Sequence, residues 1–373
     1  MAYVVDGKIE VSIAINGQDF PLDAINTLNF LKISWWTRGI LPLCHFSIFD
    51  GLHTLDQLEL QDGIPLTITL KPLASQTVTY NFRKFHHTKD FNGNAFTYEV
   101  DGYLDYPMYW AGTSIAGIQG TSSAALQQIA TKCGMTFAGS STSDSQLWMP
   151  RNRTYGEFAN MIKKRGYATS TSYMELGVNP DGSMIYQDVT QLPAPTQTVT
   201  LGEYQSGSYT AADYNPKAKS GIVNKMTGYQ NTRYSQSMVS SSLSSANSQV
   251  TFTPNVTSPL FNTTMSQSIS RGYQSFGGLD VGNTHPNYET AIYQNMRIAN
   301  LYSLDVEFLI QTPTSFRLLD TFTFAVDSDI NKQDAAYAGT YIVGARALLV
   351  TGAQYAEKIL GVRQGVNAPY TSG

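Results

Sequence analysis

The segment from Asp144 to Tyr167, DSQLWMPRNRTYGEFANMIKKRGY, constrains the fold most tightly, because several independent local signals agree within it. Thr154-Tyr155-Gly156-Glu157 has the form of a capping box. In that arrangement the Thr154 hydroxyl accepts from the backbone N–H of Glu157, and the Glu157 carboxylate accepts from the N–H of Thr154. Tyr155, Phe158, Ala159 and Ile162 then recur at helical spacing and form one apolar stripe. Lys163, Lys164 and Arg165 fall in the last turn, where cations favour the negative end of the helix dipole. Gly166 follows at the position where a left-handed residue often closes a helix. The pattern predicts a helix from Thr154 to Arg165, entered through an apolar anchor, Leu147-Trp148-Met149. Trp148, Tyr155, Phe158 and Ile162 are the expected core of this unit.

The chain on both sides of this helix reads as β. In residues 1–105, Val11, Ile13 and Ile15 alternate into Asn16-Gly17, a type I′ turn signal. Asn29 to Trp36, Leu43 to Phe49, Ile64 to Leu70, Asn81 to Thr88 and Ala95 to Leu104 are further predicted strands. Regular spacing with Gly-containing turns predicts a small antiparallel barrel or sandwich. Residues 106–205 form an α/β unit: a helix capped by Ser122 or Ser123, a short strand near Met135, a Gly/Ser/Thr linker, the capped helix and a hairpin. It closes with the proline-containing connector Gln191 to Thr198.

Residues 206–363 return to β, with predicted strands Ile222 to Gln230, Ser303 to Gln311 and Thr321 to Val326. A helix from Tyr288 to Leu301 and a closing hairpin, Thr340 to Leu349 with Tyr355 to Arg363, complete this part. A Ser/Thr-rich excursion occupies 235–264, and residues 364–373 read as a flexible tail. The two β regions end in the same pattern of strand, hairpin and strand. The expected fold is mainly β, with two tube-like antiparallel barrels flanking an α/β insert.

Composition narrows the function. Only 14% of the 373 residues are charged, 23 are tyrosine, and the net charge is −4. A net-acidic chain without a basic stripe does not provide a nucleic-acid-binding surface, so no sequence-specific nucleic-acid partner is expected. Low charge with many Tyr, Ser and Thr suits β-structure and broad protein contact. Cys44 and Cys133 stand far apart, read as reduced buried thiols and imply synthesis in a reducing compartment. No secretory signal and no apolar run of membrane-spanning length is present, so no membrane insertion is expected.

No motif carries catalysis. His86 and His87 are adjacent on a predicted strand and point to opposite faces. His45 and His53 lack a carboxylate at ligand spacing, and His285 precedes Pro286 at a helix start. Gly112-Thr113-Ser114-Ile115-Ala116-Gly117 misses the nucleophile-elbow spacing by one residue. No metal ligands, cofactor or catalytic residue are expected, although a pair of carboxylates from distant strands stays open. Trp35 and Trp36 are neighbours on a strand, so one indole faces the core and the other faces out. With Tyr109 and Trp110 they are the candidate aromatic anchors of an inter-subunit contact.

Three places resemble the baseplate hub proteins of tailed bacteriophages, the family of the T-even phage hub and the hub portion of type VI secretion spike proteins. They are Asp144 to Pro150 leading into Thr154 to Ala159 and Arg165 to Ala168; the helix Tyr288 to Leu301 leading through Leu304 to Ile310 into Ser315 to Phe322; and the closing hairpin from Gly339. The resemblance implies a structural protein without enzymatic activity. It implies a homotrimer whose six barrels form a ring between the sixfold tail tube and a threefold central spike, with a channel for DNA. The implied partners are the tail tube protein, a separate spike protein and, further out, the tape measure and baseplate wedge proteins. The implied location is the virion tail baseplate, assembled in the host bacterial cytoplasm. A glycan-binding or adhesin-like tail component and a cell-wall hydrolase are the alternative readings.

Overall fold

The computed structural model describes residues 3–5, 9–23, 26–58, 60–72, 76–93, 95–114, 116–169, 172–191, 193–201, 207–218, 304–326, 334–351 and 354–363, and short strands at 231–236, 243–248, 258–259, 274–276 and 365–366. The predicted strand at 222–230, the helix at 288–301, His285, most of the 235–264 excursion and most of the 364–373 tail lie outside the described residues.

The main strands of the first part are β1 (Tyr3–Val5), β2 (Ile9–Ile15), β3 (Asn26–Trp36), β4 (Leu43–Asp50), β5 (Pro65–Pro72), β6 (Val78–Asn92) and β7 (Ala95–Leu104), and the two residues Gln18–Asp19 pair back on β2. In β2 the period of two is strict, so Ile9, Val11, Ile13 and Ile15 are buried. Asn16 and Gly17 both take positive φ, 53° and 77°, as a type I′ turn requires.

The α/β unit follows, with α1 (Ser122–Lys132), β8 (Thr136–Gly139), α2 (Tyr155–Arg165), β9 (Met174–Val178) and β10 (Ser183–Asp188). The chain then enters β11 (Gln197–Leu201), β12 (Tyr209–Ala218), β13 (Leu304–Ile310), β14 (Thr321–Ala325), β15 (Gly339–Thr351) and β16 (Gln354–Arg363).

The ladder runs β1-β2-β5-β6-β7-β4-β3-β15-β14-β11-β12-β13-β16, and a further β15–β16 pairing closes the last six strands into a barrel. The molecule is mainly β. The first unit has the order β2-β5-β6-β7-β4-β3, and the barrel has the order β11-β14-β15-β16-β13-β12. Taken in sequence, each strand of the first unit has a counterpart in the second. Four of the six ladders that close the barrel are antiparallel, as in the first unit. The exception is β11, which runs parallel to both β12 and β14. The expectation of purely antiparallel barrels is corrected at this strand. Gln197–Leu201 was expected in or just after the connector closing the insert, yet it is a barrel stave, so the chain joins the barrel ahead of residue 205. Where the barrel closes through β11 and β12, the first unit shows no β2–β3 ladder among the described residues.

In the insert, α2 has both hydrogen bonds of its capping box: Glu157 N–H donates to Thr154 Oγ1 at 3.2 Å, and Thr154 N–H donates to Glu157 Oε2 at 3.0 Å. Phe158, Ala159 and Ile162 are fully buried, Trp148 nearly so, and Tyr155 is half-buried. Burying a side chain of this size contributes about 1.5–3 kcal/mol. The flanking Leu147 and Met149 are exposed, because only alternate residues of this short strand can face inward. Helix α1 is capped by Thr121, whose hydroxyl accepts from Ala124 N–H, in place of the expected Ser122 or Ser123. The supposed linker is tied down. Asp144 accepts from Ser122 N–H at 2.8 Å and from Tyr167 N–H at 2.7 Å, so one buried carboxylate joins the ends of both helices.

Gly166 is not left-handed; its φ and ψ are −71° and 150°. A Cβ there would lie 1.9 Å from the Tyr186 hydroxyl and 2.7 Å from Ser122 Oγ, so close approach of β10 and α1 is what demands glycine. Gly166→Ala is expected to cost about 1–3 kcal/mol by overpacking. Tyr186→Phe in the same chain should return part of that loss. A denaturant-unfolding double-mutant cycle reads the coupling; additive effects would contradict the packing account.

Candidate assembly surface

The two β units meet at a hydrogen-bonded seam. In β15, residues 345–351 pair antiparallel with residues 36–30 of β3, from Ala345 opposite Trp36 to Thr351 opposite Phe30. The same edge of β15 is shared: residues 339–342 pair with β14, and the rest pairs across the seam. Arg346, Leu348 and Val350 face the same side as Trp35, Ile33 and Leu31, and all six are buried.

A charged cluster lies beside this apolar seam. Arg346 Nη2 is 2.5 Å from Glu357 Oε2, with side chains 8% and 4% exposed. Arg346 also donates to Thr314 Oγ1 at 2.9 Å and to the Phe316 carbonyl. Glu357 accepts from the Thr314 hydroxyl at 2.6 Å and from the Tyr355 hydroxyl at 2.5 Å. Burial, and then the Glu357 charge, push the Tyr355 hydroxyl far above its usual range, so it stays a donor. The Arg346 guanidinium sits 4.9 Å from the Trp35 ring centre.

The α/β unit braces both β units. Arg38 and Gly39, just past β3, donate to the Leu176 carbonyl at 2.6 and 3.0 Å. Leu318 N–H, just before β14, donates to Asn179 Oδ1 at 3.0 Å, and Arg317 Nη2 reaches Asp181 at 2.7 Å. A second buried ion pair, Lys163 Nζ to Glu175 at 2.5 Å, locks α2 to β9. Lys163 is therefore more than a helix-dipole partner.

These contacts redistribute the four candidate anchors. Trp35 and Tyr109 are each 2% exposed and face the chain's own interior. Trp35 lies in the seam, and the Tyr109 hydroxyl donates to the Gly39 carbonyl at 2.6 Å. Neither is open to a second subunit, which corrects their assignment. Trp36 is half-buried on the opposite face from Trp35, and Trp110 is 40% exposed. Trp110 extends an aromatic stack, with Phe85 and Tyr103 4.2 Å apart and Tyr103 and Trp110 5.9 Å apart.

A second surface, not nominated from the sequence, lies at the β6–β7 hairpin. Phe91 is 68% exposed and Leu52 51% exposed. Phe91 lies 5.2 Å from Phe96, which also neighbours His53, Tyr98 and the Lys89 ammonium, the last 3.8 Å over the ring. Hydrogen bonds from Lys89 and Tyr98 hold the Asp56 carboxyl below its usual range. Phe91 and Phe96 flanking the Asn92-Gly93 turn were the available sequence signal.

Among the described residues no three His, Cys, Asp or Glu side chains are grouped to hold a metal. His45 Nδ1 lies 2.7 Å from Asp101 Oδ1, a cross-strand pair hidden from sequence by the distance between the strands. Both cysteines are buried, and burial pushes the Cys44 thiol well up and Cys133 to about 12.

The fold is shared with solved phage tail proteins. A tail protein from Neisseria meningitidis MC58 matches with a TM-score of 0.59 and 10% identity, over 97% of this chain and 98% of that one. The 43 kDa tail protein of prophage MuSo2 from Shewanella oneidensis gives 0.57 and 9% identity over 95% and 96%. An Escherichia coli type VI secretion component, described as structurally similar to the T4 bacteriophage tail proteins gp27 and gp5, gives 0.52 and 8% identity over 97% and 79%. No family model and no characterised protein matches by sequence. At these identities the likeness is one of fold: this chain has the fold of phage tail proteins and of type VI secretion spike components.

Two outcomes are expected. Arg346→Met or Glu357→Leu alone should destabilise by about 3–5 kcal/mol, and the two together by much less, because only the single changes leave a buried charge unpaired. Thermal or denaturant unfolding checks this; equal losses for single and double variants would contradict it. Neither cysteine should react with a thiol reagent in the native protein, and both should react after denaturation. Rapid native labelling would contradict the burial described.

Proposed function

We propose that this chain is the structural hub of a phage tail baseplate, acting as a homotrimer without catalysis. The observation that carries the reading is the internal repeat: two β units of one strand order, joined side by side in a single ladder. Three such chains supply six β units, which matches a sixfold tube on one side, while the chain count matches a threefold spike on the other. The shared fold with phage tail proteins supports the same reading.

The partners that follow are the tail tube protein and a separate central spike protein, with tape measure and baseplate wedge proteins as outer contacts. The location is the virion tail, after assembly in the host bacterial cytoplasm. A channel through the ring passes DNA, and a net charge of −4 gives the wall little to hold phosphates with. The Phe85–Tyr103–Trp110 stack, half-buried at Phe85 and Tyr103 and exposed at Trp110, favours the alternative of a glycan-binding tail component, since aromatic faces present apolar area at low entropic cost.

Light scattering of the purified full chain over a concentration series separates the two. The hub reading predicts a mass of three chains, from 41.0 kDa each. A chain that stays monomeric at every concentration and binds polysaccharide with micromolar affinity would overturn it.

A further inference from the structure

The correspondence between the two β units extends to their irregularities. In β6 the register against β7 shifts between Lys84 and His86; in β15 the register against β16 shifts between Val343 and Ala345. In β3 the register against β4 shifts between Leu28 and Phe30; in β12 the register against β13 shifts between Ala211 and Asp213. A β-bulge re-aims a strand and fixes where its edge leaves one neighbour for another. The bulges therefore align the units residue by residue. His86 to Asn92 correspond to Ala345 to Thr351, and Phe30 to Trp35 correspond to Asp213 to Ala218.

Ala345 to Thr351 and Phe30 to Trp36 are the two sides of the intramolecular seam. Their counterparts carry no such ladder among the described residues. In β6, residues 78–83 pair with β5, but 86–92 pair only with β7. In β12, residues 209–211 pair with β11, but among the described residues 213–218 pair only with β13. Each unit thus shows the half of the seam that the other unit has filled. Phe91, 68% exposed, stands where Val350 is fully buried.

We propose that β12 of one protomer pairs antiparallel with β6 of the next, repeating the intramolecular seam between subunits with Asn92 opposite Asp213, Phe91 opposite Tyr214, Asp90 opposite Asn215 and Thr88 opposite Lys217. This rests on the trimeric hub reading and specifies its contact surface; the partner is a second copy of this chain. A contact of one edge with a different edge is heterologous, and it closes into a ring when the rotation permits.

Phe91 is the anchor, and it meets the Tyr214 ring, which lies tilted 5.3 Å from Phe324 in the neighbouring barrel. Exposed Asp90 lies diagonal to half-exposed Lys217, within reach of a charge pair across strands. Pro216 lacks an N–H, so the ladder carries one donor fewer opposite Lys89. The Tyr214 N–H, now held by the Asp213 side chain at 2.8 Å, exchanges that acceptor for a strand carbonyl or keeps it at the bulge.

The test is a disulfide scan on the full chain. Asp90→Cys with Asn215→Cys places two thiols on directly opposed residues, within the Cα separation of about 4.4–6.8 Å that a disulfide needs. Thr88→Cys with Asp213→Cys is the offset control. The native thiols are buried and do not compete. Mild oxidation should give at least tenfold more interchain product from the in-register pair than from the control, ending in a reducible covalent trimer. A second variant, Phe91→Asp, should melt as the parent does but raise the concentration needed for trimers tenfold or more.

A trimeric mass without in-register crosslinks, or with crosslinks favouring the control, overturns the seam and leaves the hub reading standing. Unchanged assembly of Phe91→Asp also overturns the seam. A chain that is monomeric at all concentrations overturns both.

Discussion

The structure depends on one seam, where β3 of the first β unit pairs with β15 of the second over seven opposed residues. Strand pairing satisfies backbone donors and acceptors that would otherwise lie buried and unpaired between the units. It also fixes their relative orientation, because a one-residue slip would turn every buried side chain on β3 to the wrong face. Leu31, Ile33 and Trp35 meet Val350, Leu348 and Arg346 across it, so the two β units share one apolar layer. Pairing of this kind joins the two β units into one continuous ladder.

Two devices brace the joined units. One is the Arg346–Glu357 pair with Thr314 and Tyr355, a polar cluster in which each charged group has several partners. Such clusters often add little net stability over an apolar replacement, and a role in specifying one arrangement is the hypothesis that the paired-variant experiment addresses. The other is the α/β unit, whose β9–β10 hairpin accepts hydrogen bonds from the turn after β3 and the turn before β14. Its own rigidity comes from Asp144 between the helix ends and from the Lys163–Glu175 pair beneath α2. An insert placed between two repeats thus becomes the strut between them.

Short-range features were legible in the sequence. The capping box of α2, its buried stripe and the type I′ turn at Asn16-Gly17 depend on residues within one or two turns of chain, and each formed as its pattern implied. Gly166 was legible as a required glycine, but its cause lay in Tyr186 and Ser122, far along the chain, so the inferred left-handed geometry was wrong. Pairings set by tertiary contact were invisible: His45 with Asp101, Lys163 with Glu175 and Arg346 with Glu357. The strand β11 was hidden because a proline-containing approach reads as a connector, and its parallel setting leaves no hairpin signal. Of the nominated contact residues, Trp35 and Tyr109 went to the interior because large aromatics also make good core. Sequence alone cannot separate an outward ring from an inward one when the unit it packs against is distant.

The central claim is that three copies of this chain form a ring of six β units. Electron cryomicroscopy of the isolated full-length assembly measures this most directly, by counting protomers and wall units about the axis. The account predicts three protomers, six wall units and alternating seams, with the insert marking every second unit. A ring of six or twelve protomers, or particles of a single chain, would contradict it.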